Sequence, residues 1–202
     1  MKLSNFFLSL YHNSKSAIMK QLFGNKLLTF SREEKTNSQK IFSFIFGIIL
    51  FLCILPGLFI LIGIYSKDYV LLTLTKIYKF IELTVSIAGM AVGLFFIIWA
   101  ALSLWKIGKG TPTLDAPTQE LVISGPYRLC RNPMGFGVLL YYLGIGTLIG
   151  GLVVGIMCFI FGITIGSIYH KFFEESELEE RFGEEYKQYK EKTPFLFPRI
   201  KT

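Results

Sequence analysis

The chain has 202 residues, 52% hydrophobic and only 17% charged, where a soluble globule carries about 25% charged residues. The charges are segregated, leaving three uncharged runs: between Lys40 and Lys67, between Glu82 and Lys106, and over 132–170. Each exceeds the roughly 18 residues that mark a spanning helix, which excludes a soluble bundle whose helices need polar faces. In that setting the net charge of +7 marks cytoplasmic loops and anionic lipid headgroups rather than nucleic acid, for which no motif is present.

Residues 1–40 interleave aromatic and aliphatic residues with Lys15, Lys20, Lys26, Arg32, Lys35 and Lys40, the pattern of an interfacial segment followed by a polar linker. Phe6-Phe7-Leu8-Ser9-Leu10 is too short for the apolar core of a cleavable signal peptide. The first span is expected over about 41–65, kinked at Pro56-Gly57. A connector over 66–83 is apolar at Tyr69-Val70-Leu71-Leu72 and basic at Lys76 and Lys79. The second span is expected over about 84–105, with Ala88, Gly89, Ala91 and Gly93 as small residues for close helix contact. Trp105 suits an interface, and Trp99 suits either an interface or a buried position.

The loop 106–131 is rich in glycine and proline and so has irregular backbone, which near a membrane must be wet or covered by protein. It leads into 39 uncharged residues, 132–170, which as one helix would be about 58 Å long against a bilayer core of about 30 Å. The run therefore folds as a hairpin of two passages, with its turn expected within 144–151, a stretch holding Gly144, Gly146, Gly150 and Gly151. The second limb is expected to continue as a helix into 174–181. The reading is an all-α, polytopic helical membrane protein of about four spans, with a C-terminal hairpin and a cytoplasmic tail. Of the 21 Lys and Arg residues, 18 fall on the side of the N-terminus and only Lys67, Lys76 and Lys79 on the other, so the positive-inside rule puts both termini in the cytoplasm.

The hairpin brings two charged borders to one face. At its entry stand Arg128, Arg131 and Asn132 ahead of Pro133; two arginines beside a helix start can bind a carboxylate or phosphate, or can meet lipid phosphate. At its exit stand Glu174 and Glu175, nearest the lipid and able to pair with an ammonium, a sulfonium or Arg131. Glu177, Glu179, Glu180, Glu184 and Glu185 read as a solvated helix face. His170 lies one turn before Glu174 and shares its face. Cys53 and Cys158 lie in apolar runs and Cys130 in the polar motif, without disulfide or metal spacing, so no metal is expected.

Leu121-Val122, Gly125-Pro126-Tyr127-Arg128, Arg131-Asn132-Pro133-Met134 with Gly137, Glu174-Glu175, Phe182-Gly183-Glu184-Glu185-Tyr186, Tyr189, Thr193-Pro194-Phe195 and Pro198 occur in one order over about 105–200. This set resembles the isoprenylcysteine carboxyl methyltransferase and phospholipid methyltransferase group of integral-membrane enzymes. The domain division that follows is an interfacial segment over 1–40 and a membrane methyltransferase domain over 41–202.

The resemblance implies S-adenosylmethionine as methyl donor and a lipid-soluble acceptor, isoprenylcysteine-carboxylate-like or phospholipid-amine-like, entering from the bilayer. By matching position the cofactor pocket would comprise Gln119, Glu120, Leu121, Val122, Tyr127, Asn132, Pro133, Met134, Gly135 and Glu174, with Glu175 completing the acidic pair. Arg131 and Glu174 are expected to carry the catalytic role by holding the amino-acid end of the donor, or with Arg131 orienting the acceptor instead, and His170 falls where a substrate-contacting arginine occurs. Asn132 stands where the family has histidine and Gly135 where tyrosine is common; asparagine can hydrogen-bond a carboxylate but cannot take up a proton near neutrality. Two other readings are an NADPH-dependent sterol-type reductase, which shares related motifs on longer chains, and a non-catalytic membrane protein of the same fold. The short length resembles bacterial members, implying the inner membrane rather than the endoplasmic reticulum.

Overall fold

A computed structural model describes residues 36–66, 79–111 and 118–199. Most of the expected interfacial segment and of the 66–83 connector lies outside the described residues. Within them the chain is helical and holds no strand. Helix α1 (Asn37–Ile49) passes through a π-helical turn (Leu50–Ile54) into α2 (Leu55–Ser66), together forming the first apolar passage. Helix α3 (Lys79–Lys106) is the second, and α4 (Pro133–Gly150) and α5 (Leu152–Tyr169) are the third and fourth. A π-helical turn (His170–Glu174) leads into α6 (Glu175–Lys192), as the sequence predicts for a limb that runs on past the membrane.

Proline at 56 dictates the shape of the first passage. It has no N–H for the carbonyl of Leu52, four residues back. The N–H of Leu55 reaches one residue further than in an α-helix, to the carbonyl of Leu50, so the carbonyl of Phe51 loses its usual partner too. Two carbonyls freed inside an apolar passage would each cost several kcal/mol, on the order of an unmade hydrogen bond in hydrocarbon. Both are satisfied from α4: the Tyr141 hydroxyl donates to Leu52 O (3.3 Å) and the Tyr142 hydroxyl to Phe51 O (3.0 Å). The same tyrosines belong to the buried core with Phe59, Ile60, Val154 and Cys158.

Helices α3 and α4 run antiparallel with their backbones nearly touching. A Cβ on Gly93 would come within 2.7 Å of Gly137 O, and one on Gly144 within 2.8 Å of Ser86 O. Of the four small residues singled out on the second span, Gly89 and Gly93 lie in this seam, whereas Ala88 and Ala91 are exposed on the other face. Trp99 is half-buried against Phe95 and Phe96, and Trp105 packs against Phe44.

The hairpin turns at Gly151 (φ 86°, ψ 171°), a conformation without strain only for glycine, at the far end of the expected 144–151 window. Gly144 and Gly146 sit inside α4 instead, at contacts with α3 and α5. No side chain of α5 caps its own N-terminus; Glu82 of α3 accepts the Leu152 N–H at 3.1 Å across the bundle. Antiparallel packing of the passages leaves Lys106, the 125–132 motif and the start of α6 at one end of the bundle.

Candidate active site

The site is assembled from the segment before α4, the turn after α5 and a folded-back tail. A short 3₁₀ turn (Gly125–Arg128), entered through Gly125 at φ 61°, carries Tyr127, and the chain then meets the tail backbone. The Arg131 N–H donates to Pro194 O (2.8 Å), the Asn132 N–H to Phe195 O (3.0 Å) and the Arg199 N–H to Leu129 O (2.9 Å). The Tyr189 hydroxyl donates to the Tyr127 carbonyl at 2.6 Å. These bonds cover the irregular backbone that the loop composition demands.

The tail reaches this position because α6 reverses within itself. Gly183 adopts φ 53°, ψ −124°, outside any helical conformation. A straight helix would place Glu179 and Lys190 about 16 Å apart. Their charged atoms are 2.7 Å apart, so the second half of α6 returns over the first.

Arg131 is mostly buried, with its side chain 12% exposed, and its Nη1 pairs with Oε1 of Glu175, 9% exposed. The other oxygen of Glu175 takes Lys190 Nζ at 2.8 Å, and Lys190 also binds Glu179. The Arg131 guanidinium lies over the Phe195 ring, 5.6 Å from its centroid. Its Nε is buried and, among the described residues, has no hydrogen-bond partner.

His170 Nδ1 pairs with Glu174, and the ring meets Phe195 edge-on. Burial acts to lower the pKa of His170, but Glu174 and then Glu175 outweigh it and hold the imidazole above its usual 6.5. Burial first, then the charge of Glu174, pushes the Tyr127 phenol well above 10. Burial and Glu175 do the same to Tyr186, opposed by Arg131, so both phenols stay protonated at neutral pH. Burial pushes the Cys130 thiol up to about 11.

Arg131, Asn132, His170, Glu174 and Glu175 line one cleft with Leu178, Tyr186 and Phe195. The two charged borders of the hairpin therefore meet at one mouth, with Arg131 paired to Glu175 and Glu174 paired to His170. Tyr127 stands close by, through Tyr189 and the field of Glu174. Pro133, Met134 and Gly135 form the first turn of α4 and do not line the cleft. Gln119 and Glu120 are exposed beside Gly108, whose carbonyl takes both their N–H groups, and Glu120 pairs with Lys109; with Leu121 and the buried Val122 they also stand outside the cleft lining. Arg128 is exposed.

Lys190 and Glu179 carry no site role in the sequence reading, and Tyr186 and Phe195 enter it only as part of the resemblance. The available signal was Gly183, a helix breaker in the middle of a charged helical stretch. Among the described residues no group of three or more His, Cys, Asp or Glu side chains could hold a metal ion.

The phospholipid methyltransferase family model matches residues 81–185. No curated protein and no solved structure matches the chain. The family match takes in α3, the 125–132 motif, the whole α4–α5 hairpin and the Glu174-Glu175 exit, so the cleft is built largely from the matched segment. The sterol-type reductase reading gains no support from it. With more than half of its length matched, and with four apolar passages, the chain belongs to the phospholipid methyltransferase family.

Proposed function

We propose that this protein transfers a methyl group from S-adenosylmethionine to a lipidic or small apolar acceptor, with the amino-acid end of the donor held in the cleft between Arg131 and Glu174. What supports this reading most is the charge arrangement at one bundle end. A guanidinium with an unsatisfied Nε and a carboxylate left 39% exposed line the same cleft. The donor ends in a carboxylate and an ammonium, the two groups that such a pair binds by charge-assisted hydrogen bonds.

When bound, S-adenosylmethionine supplies a methyl group on a sulfonium, already a good leaving group. The chain's own task is then alignment and charge placement. Arg131 orients a carboxylate, braced by Glu175 and the face of Phe195. Glu174 holds an ammonium, and His170 balances its charge at the edge nearest the lipid. Tyr127 and Tyr186, kept as phenols, offer O–H donors rather than bases. Asn132 takes no proton, and its side-chain oxygen is occupied by the Gly135 N–H (2.7 Å), so residue 132 serves the helix start. The charge distribution along the sequence supports a cytoplasmic mouth, and in a bacterial cell the inner membrane.

Calorimetric titration with S-adenosylmethionine tests the reading. Glu174→Gln and Arg131→Ala are expected to weaken donor binding by about tenfold or more, the scale of one lost charge-assisted contact, while remaining folded. Wild-type affinity in both variants rejects the assignment. Comparing the lipids and small thiols of cells with and without the protein by mass spectrometry, for a gain of one CH₂, identifies the acceptor.

A further inference from the structure

The charged chain Arg131–Glu175–Lys190–Glu179 joins the segment before α4 to both halves of α6. Glu175 is 7% exposed and uses one oxygen for Arg131 and the other for Lys190. A buried carboxylate held on both oxygens cannot rotate, so the direction of the Arg131 fork is fixed from behind. Lys190 itself does not line the cleft. It reaches Glu175 because the chain reverses at Gly183, and it is the third point of a clasp whose other two are the Tyr189–Tyr127 bond and the backbone bonds from Arg131 and Asn132 to Pro194 and Phe195.

We propose that Lys190 is a positioning residue for the site: by occupying the second oxygen of Glu175 it keeps Arg131 aimed into the cleft. The claim about the donor rests on the function proposed above; the claim about Arg131 does not. Without the ammonium, Glu175 and Glu179 would face each other as two nearly buried carboxylates. Glu175 would then turn both oxygens onto Arg131 or swing away, and in either case the fork leaves its present direction. Tyr186, packed against the same group, has a protonated phenol and supplies no replacement cation.

The test uses the full-length protein in detergent or nanodiscs and four variants. Lys190→Met keeps the stem and removes the charge; Lys190→Arg keeps the charge; Lys187→Met removes an exposed lysine of the same helix as a control; Lys190→Met with Glu179→Gln also removes the leftover carboxylate. Modification of Arg131 by phenylglyoxal, followed by peptide mass spectrometry without donor, is expected to change at least threefold in rate in Lys190→Met. It should stay at the wild-type rate in Lys190→Arg and Lys187→Met. Affinity for S-adenosylmethionine should fall about tenfold in Lys190→Met, stay low in the double variant and return in Lys190→Arg.

An unchanged Arg131 rate in Lys190→Met overturns the proposal, whatever the donor does. So does wild-type affinity in the double variant, because the lysine would then merely neutralise Glu179. If the wild type binds no S-adenosylmethionine yet the Arg131 rate responds, the positioning role stands and the donor reading falls.

Discussion

The side-chain oxygen of Asn132 accepts the backbone N–H of Gly135 at 2.7 Å, and a Cβ at position 135 would come within 2.7 Å of that same oxygen. Asn132 and Gly135, two of the positions read in the sequence as departures, are therefore one linked feature. Asparagine folds back over the first turn of α4 as its N-cap, and glycine leaves the room for it. Asn132→Ala is expected to cost about 1 kcal/mol, the worth of an N-cap, while Asn132→Asp keeps the cap and gains from the helix dipole. Gly135→Ala should cost as much as Asn132→Ala, and the two together little more than either alone. Thermal unfolding in detergent measures all four; simple additivity of the pair would refute the coupling.

Tyr142→Phe leaves the carbonyl of Phe51 unsatisfied within the first passage. The expected loss is about 1–3 kcal/mol, the cost of stranding a buried acceptor. The Tyr141 bond is longer, 3.3 Å against 3.0 Å, so Tyr141→Phe should cost less. Replacing Pro56 by alanine in the Tyr142→Phe background restores a backbone donor and should recover part of the loss. Unfolding equilibria in bicelles read this series.

His170 should titrate above 6.5 by NMR, and Glu174→Gln should bring it down, since burial then acts against one carboxylate fewer. A histidine whose folded pKa is raised contributes stability fully present below its unfolded pKa and lost as pH rises through the folded value. Melting temperature should therefore decline as pH rises through the titration above 6.5. His170→Gln should remove that slope, and a titration below 6.5 in the wild type would contradict the assignment.

Gly183→Ala places a side chain at φ 53°, ψ −124°, where only glycine is comfortable. The expected cost is about 1–3 kcal/mol of local strain, concentrated in the fold-back. Hydrogen exchange should quicken at the Arg131 and Asn132 amides, which bond to Pro194 and Phe195, while α3–α5 stay protected. Uniform acceleration throughout the bundle would point to global destabilisation instead.

The sequence showed the architecture because apolar length is a local property: four passages, the hairpin and the helix leaving the membrane all follow from where charges stop and start. It also brought Arg131 and the Glu174-Glu175 pair to one mouth, since a hairpin of known length has only one way to return. Which of the two glutamates meets Arg131 stayed open, and the structure pairs Glu175 with Arg131 and Glu174 with His170, the neighbour that helical spacing gives it. A π-helical turn over His170–Glu174, which adds a residue to the turn, is not legible from composition and changes the helix phase just before Glu175. Lys190 was illegible because its contacts depend on a reversal at a single glycine, and helical spacing assigns it to solvent. Ala88 and Ala91 show the same limit: composition identifies small residues, but only the helix rotation decides which of them face a neighbour.

Glu82 lends its carboxylate to the start of a helix that lies seventy positions later in the chain. That carboxylate stands on α3, at the end of the bundle opposite the cleft, so α5 receives its cap only where the hairpin packs beside α3. The hairpin on its own therefore carries an incomplete turn, and the second passage finishes it from outside.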